Sequence, residues 1–131
     1  MKISRLGTIL IAVLSTPQFA LAKRGVPKPL PALVNGGVKY IAPAVMPNYS
    51  SIYGVSTCPA QSMCVEARTK KSGKLLWQVE VYKIRYDPNL EQDVQDIFIS
   101  SLAIDRGKLV VRNEGGATFI IDLKTRSVLK K

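Results

Sequence analysis

From residue 61 onward, apolar and polar positions alternate in short runs separated by polar turns. Met63 to Thr69 (MCVEART) sets Met63, Val65 and Ala67 against Cys64, Glu66 and Arg68, the period of two that defines a strand. Lys70-Lys71-Ser72-Gly73 follows as a turn, with Gly where a positive φ is needed. Leu75 to Tyr86 (LLWQVEVYKIRY) is the strongest strand pattern in the chain. Leu75, Trp77, Val79 and Val81 share one face, whereas Tyr82, Ile84 and Tyr86 fall on the other. That switch after Val81 predicts a bulge or a change of packing environment. The two strands and their turn predict a hairpin.

Asp87-Pro88-Asn89 stops the second strand. Leu90, Val94 and Ile97 then fit a helical face, with Asn89 as N-cap, so a short helix is expected near 89–96. Strands are predicted over Ile97–Ile104, Lys108–Asn113, Thr118–Leu123 and Ser127–Lys130. Asp105-Arg106-Gly107, Glu114-Gly115-Gly116 and Lys124-Thr125-Arg126 are the turns between them. Turn signals about ten residues apart imply an all-β fold, a small antiparallel meander, sandwich or barrel.

The N-terminal third follows other rules. Residues 1–22 read MKISRLGTILIAVLSTPQFALA. Lys2 and Arg5 precede an apolar run from Leu6 to Leu14, Pro17 breaks it, and Ala20-Leu21-Ala22 supplies small residues two apart. This is the order of parts in a secretory signal peptide, with the cut expected after Ala22. The run is too short to span a bilayer. Residues 23–50 carry Pro27, Pro29, Pro31, Pro43 and Pro47 and read as an extended arm. Within it Asn35-Gly36-Gly37 marks a turn and Val38–Ala42 a short strand. Residues 51–61 read as a loop, and 51–131 as a single β domain.

Composition sharpens this picture. The 131 residues contain 19 Lys and Arg, 9 Asp and Glu, and no His, a net charge of +10. Removing residues 1–22 leaves 109 residues and lowers the charge to +8, because Lys2 and Arg5 are lost. A chain of that size buries one modest core. No later segment is long and apolar enough for a transmembrane helix. The absence of His excludes His-based triads and His-ligated metal sites. Basic charge in an exported protein points to anionic surfaces, such as envelope polymers or acidic proteins, and not to nucleic acid.

Glu66 to Trp77 (EARTKKSGKLLW) and Ile121 to Leu129 (IDLKTRSVL) each contain a strand, a polar turn and a second strand. Gly73, Lys74 and Trp77 in the first copy, and Asp122, Lys124 and Thr125 in the second, match an A-x-D-x-x-T-G-K-x-x-W pattern. In this the chain resembles the blade repeat of PQQ-type β-propellers. Arg68 stands where that pattern has Asp, and Arg126 where it has Gly. The resemblance implies roughly one to one and a half blade-like units, with Ile97–Lys131 as a full four-stranded blade. A propeller needs about four to eight blades, so closure within one chain is excluded. No quinone- or metal-binding residues of the family can be matched.

Two Cys six positions apart, Cys58 and Cys64, are expected to form a structural disulfide in an oxidising compartment. The alternative is a redox pair or a Cu(I) site that adds Met63. Glu91, Asp93 and Asp96 form an acidic cluster, read as a solvated loop or helix start. Arg68, Lys70, Lys71 and Lys74 concentrate charge on one turn, and Lys124 and Arg126 on another. If the two elements are equivalent, both basic tips lie at one edge and form a surface for an anionic partner. Trp77 reads as core because it shares a face with Val79 and Val81.

No catalytic constellation, cofactor site or metal site emerges. The expectation is a periplasmic or secreted protein with a non-enzymatic binding or assembly role. Its partner would be a protein or an anionic envelope polymer, or a second copy reached through sheet edges. The alternatives are an inhibitor of a periplasmic or secreted hydrolase and a Cys/Met metal or redox carrier.

Overall fold

A computed structural model describes residues 28–43, 58–59 and 61–131. The signal segment, the remainder of the arm and most of the 51–61 loop lie outside the described residues. Among the described residues, eight strands form two open antiparallel sheets of identical topology. The first contains β1 (Leu33–Asn35), β2 (Val38–Ile41), β3 (Ser62–Thr69) and β4 (Leu75–Lys83), paired in sequence order. The second contains β5 (Ile99–Asp105), β6 (Lys108–Asn113), β7 (Thr118–Asp122) and β8 (Val128–Lys130), again in sequence order. Of the architectures the alternation allowed, the chain adopts two meanders packed face to face, with neither sheet closed into a barrel.

The hairpin that starts at Met63 and the 97–131 meander stand where alternation predicts them, except that β4 ends at Lys83 and not at Tyr86. The first sheet starts earlier, at Leu33 inside the Pro-rich segment, because β1 and β2 pair across Asn35-Gly36-Gly37. β2 then pairs with β3 across the long 42–61 connection. A three-residue strand leaves too short a run for a periodic signal, and its partner's partner lies far along the sequence. The first sheet is therefore a complete four-stranded unit, so the chain holds two such units.

The bulge after Val81 is present. Met63 pairs with Tyr82 and Cys64 with Glu80, which leaves Val81 as the extra residue. A second irregularity, between Ala67 and Arg68, leaves Leu76 unpaired. The expected helix near 89–96 shrinks to a single 3-10 turn, Asp93–Gln95, with no side-chain cap and Gln92, not Asn89, before it. Its backbone is held instead by Gln95. The Gln95 side-chain amide donates to the carbonyls of Asp87, Leu90 and Glu91, and its Oε1 accepts from the Asp87 N–H.

One core joins the sheets. Tyr40, Val65, Ala67 and Val81 of the first meet Leu109, Val111, Phe119 and Ile121 of the second. Tyr82 stacks on Phe119 at 5.1 Å between ring centroids, close to the offset geometry that aromatic quadrupoles favour. A smaller cluster of Met63, Ile84 and Phe98 closes the far end. There Tyr82 donates to the carbonyl of Ile97 and Tyr86 donates to the buried Asp96 carboxylate. Burial pushes both tyrosine hydroxyls well above their usual pKa, and for Tyr86 the Asp96 carboxylate adds to the rise.

Candidate functional site

In a meander, alternate turns fall at the same end. The β1–β2 and β3–β4 turns therefore share one end of the first sheet, where the Lys70 N–H donates to the Gly37 carbonyl at 2.9 Å. The β5–β6 and β7–β8 turns share one end of the second sheet, where Lys108 pairs with Asp122. Two contacts fix the sheets against each other. Arg126, on the β7–β8 turn, places its guanidinium 5.8 Å from the centroid of Trp77, near the start of β4. Farther from the turns, Tyr82 lies on Phe119. These four turns thus stand at the same end of the molecule, and the β6–β7 turn at the other.

The β3–β4 and β7–β8 turns share one backbone design. In the first, the Thr69 N–H donates to the Lys74 carbonyl and the Gly73 N–H to the Thr69 carbonyl, both at 2.9 Å. In the second, the Asp122 N–H donates to the Ser127 carbonyl at 3.0 Å and the Arg126 N–H to the Asp122 carbonyl at 2.7 Å. Gly73 and Arg126 occupy the same place and both take a positive φ, +72° and +61°. For Arg126 this left-handed conformation costs about 1–2 kcal/mol relative to a relaxed backbone. Its contact with Trp77 returns about 0.5–1 kcal/mol. Asp122 stabilises the second turn further, its Oδ1 accepting from the N–H groups of Lys124 and Thr125 at 2.8 and 3.1 Å. Those bonds hold the carboxyl below its ordinary pKa.

The sequence-predicted basic residues divide into two groups. Lys70, Lys71, Lys74 and Lys124 are exposed on the shared end. Arg126 is there too, with its charged plane laid on Trp77. Arg68 is spent internally: its Nε meets Glu66 Oε2 at 2.9 Å, and its Nη1 donates to the Gly73 carbonyl at 2.9 Å. The Glu66 side chain of this pair is only 4% exposed. Arg68 therefore supports the turn from below and adds little free charge to its surface.

Two basic residues at this end were not singled out from the sequence, Arg106 and Lys108. Both are exposed at the β5–β6 turn, and Arg106 lies 3.8 Å from Asp105. The signal that finds them is the parity of turns in a meander, since Asp105-Arg106-Gly107 is already legible as a turn. The opposite end carries the acidic residues Asp87, Glu91, Asp93, Asp96 and Glu114 beside Lys83, Arg85, Lys130 and Lys131. Among the described residues, charge is polarised along the strands.

Cys58 and Cys64 form a disulfide with a Cα–Cα distance of 6.0 Å. In this state neither sulfur is a thiolate ligand, and Met63 is buried in the small cluster with Ile84 and Phe98. Of the acidic trio, Asp96 is buried against Tyr86, Asp93 starts the 3-10 turn and Glu91 is exposed. Among the described residues, no group of three or more acidic, Cys or His side chains is placed to hold a metal ion. No helix among them is long and apolar enough to cross a membrane. No family model matches the chain, and neither a curated protein nor a solved structure matches it.

Proposed function

We propose that the chain is an exported cell-envelope protein that binds an anionic partner through its hairpin-turn end, without catalysis. The observation that carries this reading is the gathering of Lys70, Lys71, Lys74, Arg106, Lys108, Lys124 and Arg126 on or beside three of the four turns at one end. Among the described residues Asp105 and Asp122 oppose them there, and the Asp122 carboxylate is engaged by two backbone N–H groups. Clustered like charge on rigid turns raises the local potential and steers anions toward it. Several exposed lysines on neighbouring turns suit a flexible polymer with repeated phosphate or carboxylate groups better than one small ligand. The signal-like leader and the disulfide support an oxidising compartment outside the cytosol.

The test compares two charge reversals of equal size. Lys70→Glu with Lys71→Glu alters the turn end; Lys130→Glu with Lys131→Glu alters the opposite end. With a linear polyphosphate as probe, the first pair is expected to lower affinity at least tenfold and the second to leave it within about twofold. The native interaction weakens steeply as ionic strength rises from about 0.05 to 0.5 M. Equal losses from both pairs would mean that net charge alone drives binding, and the reading would be wrong.

A further inference from the structure

The two sheets differ in their outer faces. On the first sheet Ile41, Cys64 and Glu66 point away from the second sheet, yet all three are buried. The Glu66–Arg68 pair and the Cys58–Cys64 disulfide also lie on this side. The centre of that face, around Cys64 and Glu66, is already covered, although Val34 and Leu76 at its margins are exposed. On the second sheet the outer face is open. Ala103, Val110, Ile120 and Leu129 stand in register as one apolar row across β5, β6, β7 and β8. Leu129 is 66% exposed, and neither Val110 nor Ile120 packs into the interior clusters.

Two polar rows flank this stripe. Asp105, Lys108 and Asp122 lie on the turn side, and Ser101, Arg112 and Thr118 on the other. We infer that this face pairs with the same face of a second copy, about a twofold axis parallel to the strands. Such an axis lays β5 over the partner's β8 and β6 over its β7. Each Lys108 then meets the Asp122 of the other copy, twice by symmetry. Val110 meets Ile120, Arg112 meets Thr118, and the small Ala103 receives the protruding Leu129. Charge and side-chain size are both complementary in this arrangement.

A twofold axis across the strands does the reverse. It sets Leu129 on Leu129, leaves a gap between the two Ala103 residues, and brings Lys108 against Arg112. The parallel axis also directs both basic turn ends to the same side, so that the basic residues other than Lys108, which pairs across the interface, face one polymer chain from both copies. The dimer stands on the face geometry and does not depend on polymer binding. Four strands by about five residues cover about 19 by 17 Å. This is smaller than a standard interface, so association is expected at micromolar concentrations or above.

Sedimentation velocity of the full chain over a concentration series tests the pairing, and engineered thiols test its geometry. The expected result is a concentration-dependent dimer, weakened at least tenfold by Lys108→Glu, which sets Glu against Asp122. The double variant Ala103→Cys with Leu129→Cys should form covalent dimers under mild oxidation, while each single variant stays monomeric on a non-reducing gel. Within one chain these positions lie three strands apart, about 14 Å. That is beyond disulfide reach, so any bond between them joins two copies. A chain that stays monomeric up to ~1 mM, where even a weak dimer would form, overturns the proposal. So does crosslinking by Ala103→Cys alone as readily as by the double variant. Because the readout is association, loss of polyphosphate binding with the dimer intact would count against the proposed function and not against the pairing.

Discussion

The two meanders have the same strand order and the same β3–β4 type of turn, yet they solve the problem of their second face differently. The first sheet carries a buried ion pair and a disulfide at the centre of its outer side. The second leaves an apolar row in solvent between two polar rows. At their turns the contrast runs the other way. The first uses Gly73 at positive φ, which costs little. The second uses Arg126, whose strained backbone is offset by its contact with Trp77 on the neighbouring sheet. The lesson is that a repeated backbone unit need not repeat its energetics: each copy is completed by whatever lies against it.

The strongest way to break the comparison is to remove what the sheets share. Leu109 is fully buried in the common core. Leu109→Ala should cost about 2–5 kcal/mol, and both sheets should melt in one transition by circular dichroism and by Trp77 fluorescence. Two separate transitions would show two independent units. Next in size is the feature that belongs to the first sheet alone. Reducing Cys58–Cys64, or replacing both by Ser, should cost about 2 kcal/mol in the chain-entropy account of a short loop. Hydrogen exchange should speed up in β3 and leave β6 and β7 protected; equal loosening of both sheets would contradict the contrast.

The turns give a smaller effect. Arg126→Gly relieves the left-handed strain but loses the Trp77 contact, so stability should change by less than about 1 kcal/mol. Arg126→Ala keeps the strain, loses the contact, and should be the less stable of the two in denaturant titrations. An order with Ala above Gly would show that φ at this position is not under strain.

The smallest effects come from titration. Unfolded tyrosines ionise near pH ~10, whereas Tyr82 and Tyr86 are held neutral to higher pH in the fold. Above pH ~10 the unfolded state therefore binds fewer protons than the native state, and stability falls as pH rises. Below pH ~10 this contribution is fully present. Asp122 has the opposite sign: its lowered pKa contributes stability above the unfolded carboxyl range, and that contribution is lost as pH falls through the folded value. Tyr82→Phe should flatten the alkaline limb, and Asp122→Asn the acid limb. A thermal stability profile across pH checks both.

Much of this fold was legible in strict alternation. Ser62–Thr69 and the four strands from Ile99 onward lie within about two residues of their sequence-predicted limits, while Leu75–Lys83 stops three residues before the expected Tyr86. The bulge at Val81 was legible because a one-residue insertion moves the apolar face. β1 was not, because three residues carry no periodicity and its place is set by pairing with β2. The helix near 89–96 failed because Gln95 folds back on its own loop and holds the segment in a single turn. Lys70, Lys71, Lys74 and Lys124 were legible as a basic surface from their turn positions. Arg68 was miscounted as free charge because its partner Glu66 sits two residues away on the same face, a pairing that a list of turn residues does not reveal. Arg106 and Lys108 needed the topology.

The central claim is that anion binding belongs to the four-turn end. Amide chemical-shift mapping of the isotope-labelled chain during polyphosphate titration tests it directly. The account predicts shifts confined to residues 36–39, 69–75, 105–108 and 122–127. Shifts centred on 84–98 and 114–116 at the opposite end, or spread evenly over both sheets, would contradict it.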